Sequence, residues 1–359
     1  MSAPGRDMAP RHGGDVEGFR ERWGREPLDF SACANPLGLH PAAREAAEEA
    51  LETADRYPDP RCRALTRVIA SVTGVPEERV VCASGASDAF DRAVRSLAPR
   101  RSLLLEPTFS EYEASLARAG SRLSRHFLLP EEGFALDESI LPEVEGCDAV
   151  VVCEPDNPTG RLAGRGLMER LLERCEEEGA VLVVDECFIG FTEDPLASSM
   201  RSLVPSHPAL VVIDAFTKLY GMAGLRVGYA LVGDEGLARR MREDAPPWGV
   251  SSIAQAAGAS ALAAGGEWLE ETRALVERER PRLSRRLAEL GCEVFPSDAN
   301  FLLFRCARAG LCEALAREGI MVRDCSDFAG LSPGYYRVGV RTEAEDDLLL
   351  EALERVLGR

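Results

Sequence analysis

Six apolar runs bounded by turn or charged residues constrain the fold of this 359-residue chain more than any other feature: RVVCAS, RSLLLEP, DAVVVCEPDNPTG, GAVLVVDE, ALVVIDAF and RVGYALVG. Most are too continuously apolar for a strand with one wet face, so they predict a parallel sheet covered on both sides. The stretches SDAFDRAVRSLA, SEYEASLARAG and GLMERLLERCEEEG repeat apolar residues every three or four positions, and the last closes on a glycine suited to a helix C-terminus. Alternation of the two patterns from about residue 50 to 245 predicts an α/β domain with crossover helices. Beyond APPWGV lies a long helical region, SSIAQ through LAELG, with Pro281 placed to kink it. Strand signals return in CEVFP, NFLLFRC and YYRVGVR, and EAEDDLLLEALERVLG reads as a closing helix. The expected organisation is an arm, 1–47, too poor in apolar residues to fold alone and docking on the smaller domain; a large α/β domain, 48–247, with a mostly parallel sheet; and a small α+β domain, 248–359.

A formal charge of −18 argues against a nucleic-acid or anionic-membrane surface, since both recruit positive patches. The arginines are therefore expected to act locally. The eleven cysteines include no C-x-x-C pair, in a chain too large to need stapling, and read as reduced thiols. Four histidines without H-x-x-x-H spacing make a zinc site unexpected, and no metal is assigned. No run of roughly 18 apolar residues could span a membrane, and MSAPGRDMAPRHGGD has no signal-peptide core, so the expectation is a cytoplasmic protein.

Among 42 lysine and arginine residues, Lys218 is the one lysine. A bias toward arginine could spare one by chance. The chemical reading is that position 218 needs a primary amine able to lose its proton and attack a carbonyl, which a guanidinium with a pKa above about 12 cannot do. Four segments put polar groups where loops leave the carboxyl ends of predicted strands, the usual ligand edge of an α/β sheet. In CASGASDAF the amides of Gly85, Ala86 and Ser87 and the Ser87 hydroxyl can hold a phosphate at a helix start, although many such turns are glycine-rich for steric reasons. EPDNPTG offers Asn157, which taken alone is a plain turn residue. VLVVDE delivers Asp185 at a strand end, where it either caps a helix or meets a positive partner such as a protonated pyridine nitrogen. TKLYGMAGLRVG sets Thr217 beside the amine and Arg226 eight residues beyond it, so amine and anion ligand can flank one bound molecule.

The ordered set G-A-S, Tyr112, N-P-T-G, D-E and T-K-(x7)-R resembles the fold-type I pyridoxal-phosphate enzymes, the aspartate aminotransferase superfamily. The resemblance implies pyridoxal 5'-phosphate as cofactor, joined to Lys218 as a Schiff base. It also implies Asp185 on the ring nitrogen, Asn157 on the ring hydroxyl and Tyr112 stacked on the ring. Gly85, Ala86, Ser87, Thr217 and Arg226 would surround the phosphate. Tyr57 in RYPDP would reach the cofactor phosphate of a neighbouring subunit, which implies a homodimer with shared sites.

RHGGD, LDFSACANPLG, RYPDP, PPWGVSSIAQAAG, SDANFLLFRC, RDCSDFAGL and YYRVGVR are similar, over nearly the whole chain, to the threonine-phosphate decarboxylases of cobalamin biosynthesis, relatives of the histidinol-phosphate aminotransferases. This resemblance implies a phosphorylated amino acid, L-threonine O-3-phosphate, as substrate and (R)-1-amino-2-propanol O-2-phosphate as product. His12, Gly13, Cys33, Asn157, Arg323 and Arg337 would form the substrate clamp, although either arginine could serve an ordinary ion pair. Three positions depart from the family: Cys33 and Asp156 stand where asparagine is usual, and Ala215 where serine is usual. Serine phosphate or another phosphoamino acid therefore stays open as substrate. A histidinol-phosphate-type aminotransferase shares every cofactor residue. A binding-only regulator would need a DNA-binding module, for which the chain has neither a basic helix-turn-helix nor spare length.

Overall fold

The computed structural model describes residues 12–358. Its large sheet has seven strands: β1 Val80–Ala83, β2 Arg101–Glu106, β3 Arg122–Phe127, β4 Ala149–Cys153, β5 Val181–Asp185, β6 Leu210–Ala215 and β7 Gly228–Val232. They lie in the order β1-β7-β6-β5-β4-β2-β3. Both faces are covered, as the apolar runs predict. Leu103, Val150, Val152, Leu182, Val184 and Val212 point to one core with Leu65, Ile69 and Met168, while Leu104, Val151, Val183, Val211 and Ile213 point to another with Phe90, Ala93 and Met241.

Two features of the sheet differ from the sequence reading. β7 runs antiparallel to both β1 and β6, although it is as completely buried as its parallel neighbours. The connection Phe216–Val227 contains one four-residue helix, too little for a crossover, so the chain turns straight back. β3 gave no apolar run: it lies at an edge of the sheet and none of its side chains is fully buried.

The smaller sheet consists of β8 Glu293–Val294, β9 Phe301–Arg305, β10 Arg323–Asp324 and β11 Tyr335–Gly339, antiparallel in the order β10-β11-β9-β8. Its core gathers Leu302, Phe304, Tyr336, Val338, Leu349 and Leu353 with Phe30 of the arm. Leu28–Asp29 also pairs with Ile320–Met321. The helical region breaks at Gly265–Gly266, both with positive φ, into Ser252–Ala264 and Glu267–Glu289, and Pro281 lies within the second helix. Ser252–Ala264 packs on helix Pro41–Ala50, which itself spans the expected boundary at 47/48, and adds Ala254, Ala257 and Ala261 to the core under the large sheet. Packing thus crosses the sequence boundary at 247/248. Among the described residues no helix is long and apolar enough to cross a membrane.

Buried acids stand at the carboxyl edge of the large sheet. Glu154 is 2% exposed and accepts the Ala163 amide at 2.9 Å, and burial pushes its pKa up to about 8. An acid raised in this way keeps its proton where the unfolded chain has lost it, so stability falls as pH rises from the ordinary carboxylate value through the folded one. Glu154→Gln keeps an acceptor for Ala163 without the charge. Its stability relative to wild type should therefore improve steadily from about pH 5 to about pH 8, read as urea midpoints; parallel pH curves for the two proteins would contradict this.

Candidate active site

Strand direction gathers the sequence-predicted groups. Asp185 ends β5, and the segments after β1, β2, β4 and β6 carry Ala86 and Ser87, Tyr112, Asn157, and Thr217 and Lys218 respectively. These strands all deliver their loops to one edge. The reversal of β7 brings its start to that edge too: Gly228, two residues after Arg226, is in register with Ala83 of β1 and Ala215 of β6. All seven of these groups, with Arg226, line one cleft of about 380 Å³. His12, Gly13, Arg323 and Arg337 line the same cleft.

Lys218 lies in the four-residue helix Phe216–Leu219, which is too short to hold itself. The arm caps it. The carbonyls of Lys218, Leu219 and Tyr220 accept from Asn35 N at 3.0 Å, Asn35 Nδ2 at 2.6 Å and His40 N at 3.1 Å. The amine donates to the Ala32 carbonyl at 2.5 Å and lies 5.6 Å from the centre of the Phe188 ring. Burial holds its pKa below the ordinary lysine value, and the positive charge of Arg337 acts in the same direction. Both favour the neutral, nucleophilic amine.

Asp185 is buried and accepts the Tyr112 hydroxyl at 2.6 Å and the Cys187 amide at 3.0 Å. Burial, and then the Asp185 charge, push the Tyr112 phenol well above its ordinary pKa, so it remains a donor. At the start of helix Ala86–Leu97, Gly85 has φ +94°, and a Cβ there would stand 2.7 Å from Arg226 Nη2. Only glycine lets the guanidinium lie across the turn. Gly85 shapes this wall without lining the cleft.

Arg337 is anchored by Asn157 Oδ1 and by the Ser31 carbonyl at 2.7 Å, with its guanidinium 5.2 Å from the Phe301 ring centre. Arg323 Nη2 meets both Asp327 oxygens at 2.8 Å. His12 Nε2 is 3.2 Å from Glu111 Oε1, and a Cβ on Gly13 would stand 2.2 Å from the Ser31 carbonyl oxygen, so the arm lies close against the cleft wall. Cys33, expected in the substrate clamp, does not line the cleft. Its backbone is left-handed, φ +51°, and its side chain turns beneath the floor among Phe188, Val276, Ala299 and Phe301, leaving Ser31 and Ala32 at the surface. Tyr57 is 79% exposed and stands outside the cleft of its own chain, stacked on Trp248 at 4.4 Å. Thr108, Phe109 and Phe188 also line the cleft and carried no sequence signal, because as turn or apolar residues they match the core. Asp327 did carry one, an acid four residues after Arg323.

Residues 25–353 match the family described as aminotransferase class I and II. The chain belongs to that family. It is 33% identical over 353 residues to the threonine-phosphate decarboxylase of Salmonella typhimurium, covering 96% of each chain. It is 34% identical over 330 residues to the histidinol-phosphate aminotransferase of Symbiobacterium thermophilum, covering 90% of this chain and 89% of that one. Histidinol-phosphate aminotransferase from Sinorhizobium meliloti in complex with pyridoxal-5'-phosphate has the same fold, with a TM-score of 0.85, 25% identity, and coverage of 100% of this chain and 99% of that one. This aminotransferase-family enzyme is thus a fold-type I protein with pyridoxal phosphate as its cofactor. The cleft fits that group: it offers one amine of lowered pKa, the buried Asp185 carboxylate, and a helix start crossed by an arginine.

Because the aminotransferase-family chain has a single lysine, borohydride reduction of the holoenzyme should fix the cofactor on one internal peptide, and Lys218→Ala should abolish that product in mass spectra. Label on any other internal peptide would remove Lys218 from this role.

Proposed function

We propose that the enzyme decarboxylates L-threonine O-3-phosphate to (R)-1-amino-2-propanol O-2-phosphate, as in cobalamin biosynthesis. The observation that carries this reading is that His12 and Gly13 of the arm share one cleft with Lys218, Arg323 and Arg337, which supplies more anion ligands than the cofactor alone requires. The full-length likeness to a threonine-phosphate decarboxylase supports it. The likeness to histidinol-phosphate aminotransferases supports a second reading, transamination of a phosphorylated substrate in the same cleft.

When bound, pyridoxal phosphate supplies an electron sink for the pair left on the substrate α-carbon. In our reading Asp185, its carboxylate steadied by Tyr112, would hold the ring nitrogen of the cofactor, and Asn157 would serve its ring hydroxyl. Ala86, Ser87, Thr217 and Arg226 would hold the cofactor phosphate at the helix start. Arg337 grips the substrate carboxylate. It is the arginine whose charge acts on the Lys218 amine, and the carboxylate sits one bond from the α-carbon that this amine must serve. Arg323, with His12 and Gly13, takes the substrate phosphate. Held by Arg337, the substrate carboxylate would be the group lost as CO2, its bonding pair staying with the α-carbon, to which Lys218 would return a proton.

The enzyme in this reading is a homodimer in which Tyr57 of one copy serves the cleft of the other, supported by its exposure and its Trp248 stack. Mixing inactive Tyr57→Ala and Lys218→Ala proteins should then regenerate part of the activity in heterodimers; a mixture as dead as its components would refute the shared site.

Release of CO2 from phosphothreonine, phosphoserine and free threonine tests the reaction, and formation of a keto product without CO2 would favour transamination. Removing residues 1–14 should lower kcat/KM for phosphothreonine by roughly ten- to a hundredfold, the worth of one or two charge-assisted contacts, with cofactor affinity nearly intact. Wild-type kcat/KM in the truncated enzyme would exclude the arm as a phosphate clamp.

A further inference from the structure

The start of helix Ala86–Leu97 poses a problem of self-competition. Gly85 provides no side-chain cap, so the amides of Ala86, Ser87 and Asp88 have no partner within the helix. An acidic side chain in the first turn is drawn to such amides, both by hydrogen bonding and by the helix dipole. Asp88 is that side chain. Seated on the amides, its carboxylate would be an intramolecular anion at high effective concentration, competing with any phosphate.

Asp88 is instead turned away on both oxygens. Oδ2 accepts the Ser84 amide at 2.7 Å, upstream of the helix, and Oδ1 accepts Arg92 Nε at 2.9 Å. Arg92 Nη2 completes the fork on Oδ2. The guanidinium is itself held: Arg92 is 2% exposed, and its Nη1 donates to the Cys82 carbonyl in β1 at 3.2 Å. Ala86 and Ser87 line the cleft and Asp88 does not.

We propose that Arg92 is a positioning residue that keeps the Asp88 carboxylate from occupying the anion site at the start of its own helix. This rests on the reading that the Ala86–Ser87 turn and Arg226 hold the cofactor phosphate. Arg92 never touches the cofactor; it acts through Asp88, clearing the amides and cancelling a negative charge that would repel a dianion.

The test titrates the apoenzyme with pyridoxal phosphate and with pyridoxal, which has the same ring and aldehyde and no phosphate. The ratio of the two dissociation constants isolates the phosphate contribution. Arg92→Gln should shrink that ratio about tenfold or more, the loss expected when a charge-assisted anion contact is blocked, with little change for pyridoxal. Adding Asp88→Asn to Arg92→Gln should restore most of the ratio, because the competing charge is gone. Arg92→Lys, which keeps the charge and loses the fork, should give a smaller fall in the same direction and serves if Arg92→Gln does not fold. An unchanged ratio in the Arg92 variants, equal weakening of both ligands, or a double variant as poor as the single would overturn the proposal. Arg226→Leu separates the two readings. If it shrinks the ratio while the Arg92 variants do not, only the Asp88 proposal fails; if it too leaves the ratio unchanged, the phosphate reading of the turn fails with it.

Discussion

The backbone of one irregular stretch, Ser31 to His40, ties the reactive groups to one another. The Ser31 carbonyl accepts from Arg337, the Ala32 carbonyl from Lys218, and the Cys33 carbonyl from Asn300 Nδ2 at 3.1 Å, while the Asn35 and His40 amides close the lysine turn. Buried peptide groups must be paired, and here partners from both domains supply the bonds. The amine on the large sheet and the arginine on the small one are therefore held at a fixed separation by a strip of chain that has no regular structure of its own.

Electrostatics in the cleft follows from burial more than from net charge. Glu106, Asp156, Glu186 and Asp214 are pushed up to about 7, and Glu154 to about 8, in each case chiefly by burial. At neutral pH these acids are largely or partly protonated, so they offset the positive charge of the cleft arginines less than the −18 formal charge suggests. Asp185 and Glu106 both line the cleft, and Asp185 is the one that accepts the Tyr112 phenol.

Much of the architecture was legible in the sequence because a parallel sheet covered on both faces needs continuous apolar strands, and the turns that leave them carry their polar residues in a readable order. The G-A-S turn, Asn157, Asp185, Lys218 and Arg226 could be picked out in this way. In the structure Phe30 joins the core of the small sheet, while Asn35 and His40 bond the lysine turn after the large one. Other features left no local trace. Edge strand β3 is half wet and has no apolar run, and Ser252–Ala264, though plainly helical, could not declare which core its alanines would join.

The sequence by itself determined which groups are available and in what order: one side-chain amine in the whole chain, a carboxylate at the end of β5, a glycine-led helix start. Local chemistry and spacing carry that information. The tertiary structure decided their directions and partners. The short return after β6 reversed β7 and so brought Arg226 to the carboxyl edge. A left-handed backbone at Cys33 sent its thiol under the floor. Asn157 and Arg337, 180 residues apart, became neighbours. Such choices depend on loop length, on the fit of side chains between distant elements, and on the need to pair every buried polar group, none of which is set within a single segment of chain.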